Sequence, residues 1–507
     1  MAKKTQTLKP KVVIAGPGAG KTHNMVQEIA ACVPRLHPCR FLAAITYTNA
    51  AAEVIRTRLG QRMHPPRNIF VGTIHAFLNR FVLNPYATLL GELPDEKLFM
   101  AVDLDSSKIG KKATPATKAI IRNKIIGSLL KKGVVPYEQM VAISADLVDR
   151  PTVRSALGRR LQFLFVDEFQ DVDITQLRVF EAVRKEGRTT FVAVGDPEQY
   201  ISSFTYGQRG VAAPKYLKIP FFRFAEKAQR SDICGNRRSC VEIVEFLNQF
   251  HTHLNQESLQ GARGTPRVFF LPETSLSEIV ERFQAVSDAE HNDEKPIQRL
   301  YLGLANATFD EVRQQYGLVS VCNNGVVERS VLAETLEFIS KAFGVSQRRF
   351  REHHGLHIIA WRKIGLRLLR AIRCGHVESE EGVRRVVAKE LKLASHDVER
   401  PMPDYEVQVF FNAVRRHTGT TGSERCSSIH KAKGLEADAV LVVARTVSEL
   451  CKWIETDSSS RAAEGNDACR VGYVAFSRAK EVLCIACKQP IDDSMTKLLV
   501  SLGVSVV

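Results

Sequence analysis

The chain has 507 residues, 44% of them hydrophobic, which suits three or four domains of an ordinary globular protein. Lys and Arg exceed Asp and Glu by 71 − 55 = 16, so the charge is compatible with a polyanionic partner or with a merely solvated basic surface. No apolar run is long enough to span a membrane, and no apolar stretch follows the lysines of "MAKKTQTLKPK". We therefore expect a cytoplasmic protein that has no membrane partner.

The chain contains 11 scattered cysteines, as expected of reduced thiols in the cytoplasm rather than of a disulfide framework. Cys484 and Cys487 form a CxxC in "EVLCIACK", a strand-like run in which positions i and i+3 point to opposite faces. This spacing favours two buried small side chains over a metal or cluster site.

Short β-rich runs alternate with helical stretches at the start of the chain, in "KVVIA", "FLAAIT" and "NIFVGT". This alternation is typical of βαβ units on a parallel sheet, and it returns in "LQFLFVDE" and "TTFVAVGD". Residues 83–160 lack such apolar runs and are rich in lysine. The pattern predicts a first α/β domain formed by residues 1–82 and 161–230, with residues 83–160 as a helical insertion.

A second α/β pattern begins at "TPRVFFLP" and "QRLYLGLA" and returns at "EADAVLVVA" and "KEVLCIAC". It predicts a second domain formed by residues 231–335 and 415–507, interrupted by a reduced helical insertion at 336–414. Residues 346–400 carry 13 Lys and Arg against 7 Asp and Glu. Solvated charge and contact with a phosphate backbone explain this excess equally well.

The run "AGPGAGKT" lies between an apolar strand and a helical pattern. Its Gly16, Gly18 and Gly20 let the backbone curl, so that successive N–H groups point at phosphate oxygens. Lys21 would neutralise the β- and γ-phosphates, and the Thr22 hydroxyl would ligate Mg²⁺. The position of the run favours a nucleotide loop over a tight structural turn and implies ATP and Mg²⁺ as cofactors.

An acidic pair follows another apolar run in "FLFVDEFQDVD". Asp167 is the candidate second protein ligand for Mg²⁺, and Glu168 is the candidate for polarising the attacking water. A carboxylate pair after a strand can also be a solvated strand end, but a phosphate loop in the same domain favours the catalytic interpretation.

Eight motifs occur in order between residue 12 and about 487, and together they resemble the motif series of superfamily 1A helicases, the UvrD/Rep family. They are "AGPGAGKT", "ITYTNAAAEVIRTRL", "VGTIHAFLNRF", "FVDEFQDVD", "VAVGDPEQYISSF", "GNRRS", "SIHKAKGLE" and "RVGYVAFSRAK". The resemblance implies two RecA-like P-loop domains with parallel sheets, each carrying a mainly helical insertion. ATP would lie in the cleft between them, and single-stranded DNA would lie across the top.

The resemblance also implies roles for individual residues. Gln199 would sense the γ-phosphate, and Arg238 and Arg478 would be the two arginine fingers, a chemistry that suits a fixed guanidinium. Glu436 would contact the ribose hydroxyls, with Gly434 allowing close approach. The residues of the nucleotide contact as a whole would be Gly16, Pro17, Gly18, Ala19, Gly20, Lys21, Thr22, His23, Arg237, Gly434 and Glu436.

For DNA, the resemblance implies stacking of bases on Tyr47 and Phe204, which every base tolerates because each has a π-face. Thr73, His75 and His430 would position the strand. Without the resemblance, an aromatic residue after a strand is more often part of a core than a stacking platform.

Three adenine contacts of the family are altered in this chain. No helix-length segment surrounds Gln6 ahead of the phosphate loop, and His23 and Arg237 stand where the family has a stacking Arg and a stacking Tyr. ATP remains the expected nucleotide, but weak discrimination between bases is expected.

By this resemblance the chain is expected to be a DNA-dependent ATPase that moves 3′ to 5′ along single-stranded or tailed duplex DNA. Its short insertions and the expected lack of a nuclease domain resemble in plan the UvrD-like subunit of Gabija anti-phage systems, which partners an OLD-family nuclease. The alternative is a nucleotide-gated sensor of DNA ends that regulates a partner nuclease without processive unwinding. A third interpretation, a nucleotide-binding protein that has lost hydrolysis, conflicts with the complete set of catalytic residue types.

Overall fold

A computed structural model describes residues 9–90, 99–101, 114–131, 133–201, 215–264, 266–291, 296–320, 331–391, 407, 410–411, 424–463 and 467–507. The chain divides into two compact units. Unit 1 comprises Met1–Asn292, Leu300–Phe309 and Ser428–Val507, and unit 2 comprises Asp293–Arg299 and Asp310–Ser427. In the part of the chain described, no helix has both the length and the apolar character needed to cross a bilayer.

The strands in chain order are β1 (Lys11–Ala15), β2 (Phe41–Thr46), β3 (Ile69–Thr73), β4 (Phe99–Ala101), β5 (Val134–Pro136), β6 (Leu161–Val166), β7 (Thr190–Gly195), β8 (Gln229–Ile233), β9 (Gly235–Asn236), β10 (Glu257–Ser258), β11 (Val268–Leu271), β12 (Arg299–Gly303), β13 (Val319–Ser320), β14 (Glu424–Ser428), β15 (Ala437–Ala444), β16 (Ala479–Cys487) and β17 (Ser505–Val506).

The α-helices are α1 (Lys21–Cys32), α2 (Asn49–Arg62), α3 (Ile74–Leu78), α4 (Asn84–Tyr86), α5 (Pro115–Lys131), α6 (Tyr137–Val148), α7 (Pro151–Arg160), α8 (Ile174–Glu186), α9 (Pro220–Ala225), α10 (Val241–Asn248), α11 (Leu276–Glu290), α12 (Val331–Ala342), α13 (Gln347–His353), α14 (Ile358–Arg373), α15 (Glu380–Leu391), α16 (Val447–Trp453), α17 (Ser458–Ala462), α18 (Ala468–Phe476) and α19 (Asp493–Ser501).

The first sheet of unit 1 has the strand order β3-β2-β6-β7-β1-β8, and neighbouring strands are parallel. Along β1, Val12 and Ile14 lie in one apolar cluster, whereas Val13 and Ala15 lie in another. Both faces of the sheet are therefore covered, which is the physical reason that its strands are nearly continuous apolar runs. The prediction of a parallel α/β fold is confirmed.

Strand β8 shows where the first sheet ends. It pairs with β1, in the register Lys11↔Gln229 to Ala15↔Ile233. Its exposed and charged sequence, "QRSDI", lacks the apolar run by which the other strands were recognised. The sheet consequently extends past residue 230, where the sequence predicted the domain boundary.

Helix α8 has strong start and stop signals. The Asp173 carboxylate accepts a hydrogen bond from the Gln176 N–H at 2.8 Å, and the Gln176 side chain accepts one from the Asp173 N–H at 3.1 Å. This capping box satisfies two otherwise unpaired donors at the first turn. Gly187 ends the helix at φ 66°, a left-handed conformation that glycine adopts without steric cost.

Residues 83–160, the predicted first insertion, include several helices and two short strands in their described part. β4 and β5 pair in parallel, in the register Phe99↔Val134 to Ala101↔Pro136. The expectation that this region lacks strands is wrong at these residues, because three-residue strands are too short to show a periodic pattern. Helices α6 and α7 contribute residues such as Met140, Leu147 and Leu157 to the apolar cluster that contains Val12 and Ile14.

The second sheet of unit 1 has the strand order β12-β15-β16-β11-β17, and the β15–β16, β16–β11 and β11–β17 pairs are parallel. Within β16, Leu483, Ile485 and Cys487 belong to one apolar cluster, while Cys484 is fully buried outside that cluster. Cys484 and Cys487 therefore lie on opposite faces, as predicted. Among the described residues, no group of three or more His, Cys, Asp or Glu could hold a metal ion.

Unit 2 contains the short parallel pair β13–β14 and helices α12 to α15. Its apolar cluster includes fully buried Trp361 of α14 and a stacked pair, Phe338 and Phe410, whose ring centroids lie 3.8 Å apart. The opposite face of α14 is exposed and basic, with Arg362, Lys363 and Arg370. The predicted helical character of the second insertion is therefore seen in the residues that the structure describes.

Candidate active site

The phosphate loop leaves β1 at its carboxyl end and enters α1 at Lys21. Gly18 and Gly20 have φ angles of 68° and 72°, which L side chains rarely adopt. A Cβ atom on Gly18 would also lie 2.3 Å from the Asn236 side-chain oxygen. The Lys21 ammonium lies over the loop and donates to the carbonyls of Ala15 and Gly16 at 3.2 and 3.3 Å.

Thr22 and Asp167 come together although 145 residues separate them in the chain. The Thr22 hydroxyl lies 3.4 Å from Asp167 Oδ2, and the Asp167 N–H donates to the Ile45 carbonyl at 2.9 Å. Burial, reinforced by repulsion from Glu168, raises the pKa of the Asp167 carboxyl to about 7. A hydroxyl and a carboxylate are hard oxygen donors of the kind Mg²⁺ prefers, and a half-buried carboxylate next to a buried one favours a nearby cation. The residues therefore fit Mg²⁺.

Glu168 has an unusual backbone conformation, with φ 50°, the one positive value among the non-glycine residues described. The Gln170 amide donates to Glu168 Oε2 at 2.5 Å. Burial pushes the pKa of the Glu168 carboxyl upward, but the charge of Lys21, the Gln170 hydrogen bond and the charge of Lys433 outweigh burial and lower it. A strained backbone at a half-buried carboxylate of lowered pKa is typical of a functional site.

Gln199 and Arg478 are in direct contact. An Arg478 Nη2–H donates to Gln199 Oε1 at 3.2 Å, and the Gln199 amide donates to Asp196 Oδ2 at 2.8 Å. Arg478 is only 2% exposed, and burial together with repulsion from Arg238 lowers the pKa of its guanidinium to about 9, which leaves it charged at neutral pH. The structure thus joins the predicted sensor to one predicted finger.

Arg238, the other predicted finger, makes different contacts. Its Nε–H donates to Glu436 Oε2 at 2.8 Å, and its Nη1–H donates to the Ser477 carbonyl at 2.8 Å. Its Cβ lies 2.7 Å from where a Cβ of Gly18 would stand, so its backbone is beside the phosphate loop. Gly434, in the loop before Glu436, has φ 83°.

A cavity of about 270 Å³ lies beside Arg237, a predicted base-stacking residue, and Arg238, a predicted arginine finger. Its lining consists of Arg237, Arg238, Cys240, Gln260, Arg263, Glu436, Lys480 and Glu481. The Arg237 N–H also donates to the Gly18 carbonyl at 2.8 Å. His23, by contrast, is exposed on the first turn of α1 and is not part of this lining. The structure therefore places only one of the two predicted base-stacking residues at the cavity.

The predicted DNA residues occupy neighbouring strand ends. Thr46 and Thr73 are partners in the register of β2 and β3, which brings Tyr47 and Thr73 to the same sheet edge. The Tyr47 hydroxyl donates to the Gln176 side chain at 2.9 Å. The Tyr47 ring is half-buried against the apolar cluster that contains Val12 and Ile14. Thr73 caps α3 by accepting from the Ala76 N–H at 3.3 Å.

The two predicted histidines are both half-buried. The His75 ring packs edge-on against Tyr137, with centroids 5.5 Å apart. Burial, helped by the charge of Lys433, lowers the pKa of His430. Phe204 lies outside the described residues. The roles of these side chains in DNA contact stay predictions.

Three contacts at the site were missed from the sequence. The Lys433 ammonium pairs with Asp171. Both residues belong to motifs quoted above, so the sequence marked both residues as candidates for the site. Gln256 donates to the Pro17 carbonyl at 3.1 Å, and Arg461 pairs with buried Glu198. Gln256 and Arg461 lie outside every motif, and no periodicity or spacing pointed to them.

Comparison with known proteins gives a consistent relationship. The AAA domain family matches residues 2–205 of the chain. The ATP-dependent DNA helicase PcrA of Leuconostoc citreum is 25% identical over 332 residues, which cover 56% of this chain and 43% of that protein. The ATP-dependent DNA helicase Rep of Escherichia coli (strain K12) is 25% identical over 250 residues, which cover 41% of this chain and 36% of Rep.

The chain is similar to UvrD/Rep-type helicases of superfamily 1. The Gabija protein GajB of Bacillus cereus (strain VD045) is also similar, with 25% identity over 244 residues that cover 47% of this chain and 46% of GajB. The matched part of the chain spans less than half the length of each of these three relatives.

Proposed function

We propose that this UvrD/Rep-like protein is a DNA-dependent ATPase that moves 3′ to 5′ along single-stranded DNA and separates tailed duplexes. The contact between Gln199 and Arg478 carries the proposal, because it connects the strand-end turn of the first sheet to the segment that follows α18. A nucleotide that makes or breaks this contact would change the positions of the two sheets of unit 1 relative to each other. Movement along DNA requires such a coupling.

The proposed hydrolysis uses the buried groups around the phosphate loop. Backbone N–H groups of the loop and Lys21 bind the phosphates, and Glu168 accepts a proton from the attacking water. Thr22 and Asp167 would hold Mg²⁺, which would supply positive charge against the charge that develops on the phosphates. Arg478 and Arg238 add fixed positive charge at the transferred phosphoryl group.

Contact with DNA is supported by charge and by position. The net charge of +16 favours a polyanion, and Tyr47 lies with Thr73 at one edge of the first sheet. Stacking on Tyr47 and Phe204 would bind single strands with little sequence preference.

We further propose that the chain is the helicase-like subunit of an anti-phage complex that includes a nuclease of the OLD family. Similarity to the Gabija protein GajB over 47% of the chain supports this assignment. Affinity purification of the tagged chain from its native cells tests it. Recovery of the chain without a nuclease would contradict the partnership.

The main experiment compares ATP hydrolysis, with and without single-stranded DNA, to strand displacement on duplexes that carry a 3′ or a 5′ tail. Glu168→Gln should lower turnover by orders of magnitude while nucleotide binding is retained, and Lys21→Ala should lower both. DNA stimulation together with displacement of 3′-tailed duplexes supports the proposal. DNA-stimulated hydrolysis without displacement would favour the nucleotide-gated sensor of DNA ends.

A further inference from the structure

Glu198 is a fully buried carboxylate in the turn Pro197–Gln199, directly before the predicted sensor. The Arg461 Nη2–H donates to Glu198 Oε2 at 2.9 Å, and both side chains have no exposed surface. The hydroxyls of Tyr216 and Thr252 donate to Glu198 Oε1 at 3.0 and 2.6 Å. Three partners from distant parts of the chain therefore hold this one carboxylate.

Arg461 is itself held by two further hydrogen bonds, one from its guanidinium and one to its backbone carbonyl. Its Nη1–H donates to the Glu455 carbonyl at 2.9 Å, and its own carbonyl accepts from Arg470 Nη1–H at 2.9 Å. Arg470 also donates through Nε–H to the Tyr200 carbonyl at 2.9 Å, and its guanidinium lies 4.2 Å from the Tyr216 ring centroid. The residues on both sides of Gln199 are thus held by Arg461 and Arg470.

The same segment also leads to Arg478. Arg470 lies in α18, and this helix ends at Phe476, two residues before Arg478. One short segment therefore holds Glu198, Tyr200 and, through Arg478, the Gln199 side chain itself. A buried ion pair adds little to stability compared with an apolar pair of equal volume, whereas it restricts geometry strongly. The arrangement suits a device that sets the position of the sensor.

We propose that Arg461 is a positioning residue for the proposed hydrolysis, which holds Glu198 so that the adjacent Gln199 meets Arg478. The inference rests on the proposed function and goes beyond it, because Arg461 lies outside the motif set and touches neither the phosphate loop nor the predicted metal ligands. Its effect passes through Gln199, and this dependence can be measured.

The test is a double-mutant cycle between Arg461→Lys and Gln199→Ala, read by kcat and KM for ATP in the presence of single-stranded DNA. Lys keeps the charge but loses the forked geometry that reaches both Glu198 and Glu455. Arg461→Lys should lower kcat by about tenfold to a hundredfold, as small misplacements of reacting groups do, with KM and the Kd of a fluorescent ATP analogue changed less than about twofold. In the Gln199→Ala background, Arg461→Lys should have no further effect on kcat.

Arg267→Lys is the matched control. Arg267 is 3% exposed and, like Arg461, it binds a carboxylate and a backbone carbonyl, both of Glu290, at 3.1 and 2.8 Å. None of its contacts involves the Gln199 turn, so Arg267→Lys should keep the kcat of the unmodified chain. Circular dichroism and the melting temperature should show that each variant is folded.

Tyr216→Phe and Thr252→Val replace Arg461→Lys as the test if that variant does not fold, because each removes one hydrogen bond to Glu198 and no charge. Each should lower kcat, and neither should do so once Gln199 is Ala. An unchanged kcat in folded variants, or losses that multiply with Gln199→Ala, would overturn the positioning role and leave the proposed ATPase intact. No hydrolysis by the unmodified chain would overturn both.

Discussion

Lys433 and Asp171 are joined by an ion pair in which the Lys433 ammonium lies 2.7 Å from Asp171 Oδ1 and 3.0 Å from Oδ2. The two residues belong to "SIHKAKGLE" and "FVDEFQDVD", and 262 positions separate them. Burial raises the pKa of Glu168, and Lys433, after Lys21 and Gln170, is one of the groups that lower it below its usual value. One lysine thus connects the "SIHKAKGLE" segment to the segment that carries the acidic pair.

We expect Lys433→Ala to lower DNA-stimulated ATP turnover by about tenfold, which is about 1.4 kcal/mol of transition-state stabilisation. It removes positive charge near Glu168 and the tie to Asp171. Steady-state kinetics with and without single strands measure the effect. Lys11→Ala, which breaks a partly exposed pair with Glu28 at 2.5 Å, is the control. Equal loss in both variants would show that Lys433 acts only through general stability.

A second expectation concerns Tyr47, whose ring and hydroxyl can be separated by substitution. Tyr47→Phe keeps the ring and removes the hydroxyl, which donates to Gln176. Tyr47→Ala should weaken binding of single strands by about 1 to 3 kcal/mol for every sequence, as expected for a lost base stack, and so should Phe204→Ala. Fluorescence anisotropy with several oligonucleotides measures it. A loss confined to one sequence would argue for base-edge recognition, and a large loss in Tyr47→Phe would assign the effect to the hydroxyl.

The exposed basic face of α14 allows a test of electrostatic DNA contact. The side chains of Arg362, Lys363 and Arg370 have no hydrogen bond or ion pair within the described residues, whereas exposed Arg385 of α15 pairs with Glu381 at 3.0 Å. If the face binds DNA, changing the three residues to Gln should make the slope of log K against log salt shallower by about 0.7 for each lost phosphate contact to a single strand. Arg385→Gln is the control. An unchanged slope would identify these charges as solvated.

Base selectivity should be weak, because backbone amides, Lys21 and the two fingers bind phosphates and cannot distinguish bases. Arg237 lines the cavity and can stack on any ring, and stacking distinguishes bases poorly. The kcat/KM values for ATP, dATP and GTP should agree within about tenfold, or ~1.4 kcal/mol. Competition at equal concentrations measures this. A preference for ATP over GTP beyond about a hundredfold would show that another group, such as Gln260 in the cavity, recognises the adenine edge.

His253 should make stability depend on pH. Its Nε2 atom is buried without a hydrogen-bond partner in the part of the chain described, and its ring packs against Tyr216 and Phe222. Burial lowers the pKa of His253 in the fold, so the unfolded state binds the proton more readily, and stability falls as pH drops below the usual histidine range. The melting temperature should decrease more steeply from pH 7 to 5 in the unmodified chain than in His253→Phe. The same change of melting temperature with pH in both proteins would refute a role of His253.

The sequence by itself determined the local elements and the chemistry they carry. Apolar runs predicted the long strands of both sheets, because a strand buried on both faces must be apolar along its length. The phosphate loop and the acidic pair were recognisable because each lies in one continuous stretch. Short strands such as β4 and β5, and the polar edge strand β8, had no such pattern and were missed.

Only the tertiary structure decided which distant side chains meet. Arg461 and Glu198 are 263 residues apart, and Gln256 and Pro17 are 239 residues apart. Neither Arg461 nor Gln256 belongs to a motif, since a contact between remote segments imposes no periodicity on the residues beside it. Burial alone would raise the pKa of a carboxylate such as Glu198, and the fold lowers it by bringing Arg461, His251 and the Thr252 hydroxyl to it.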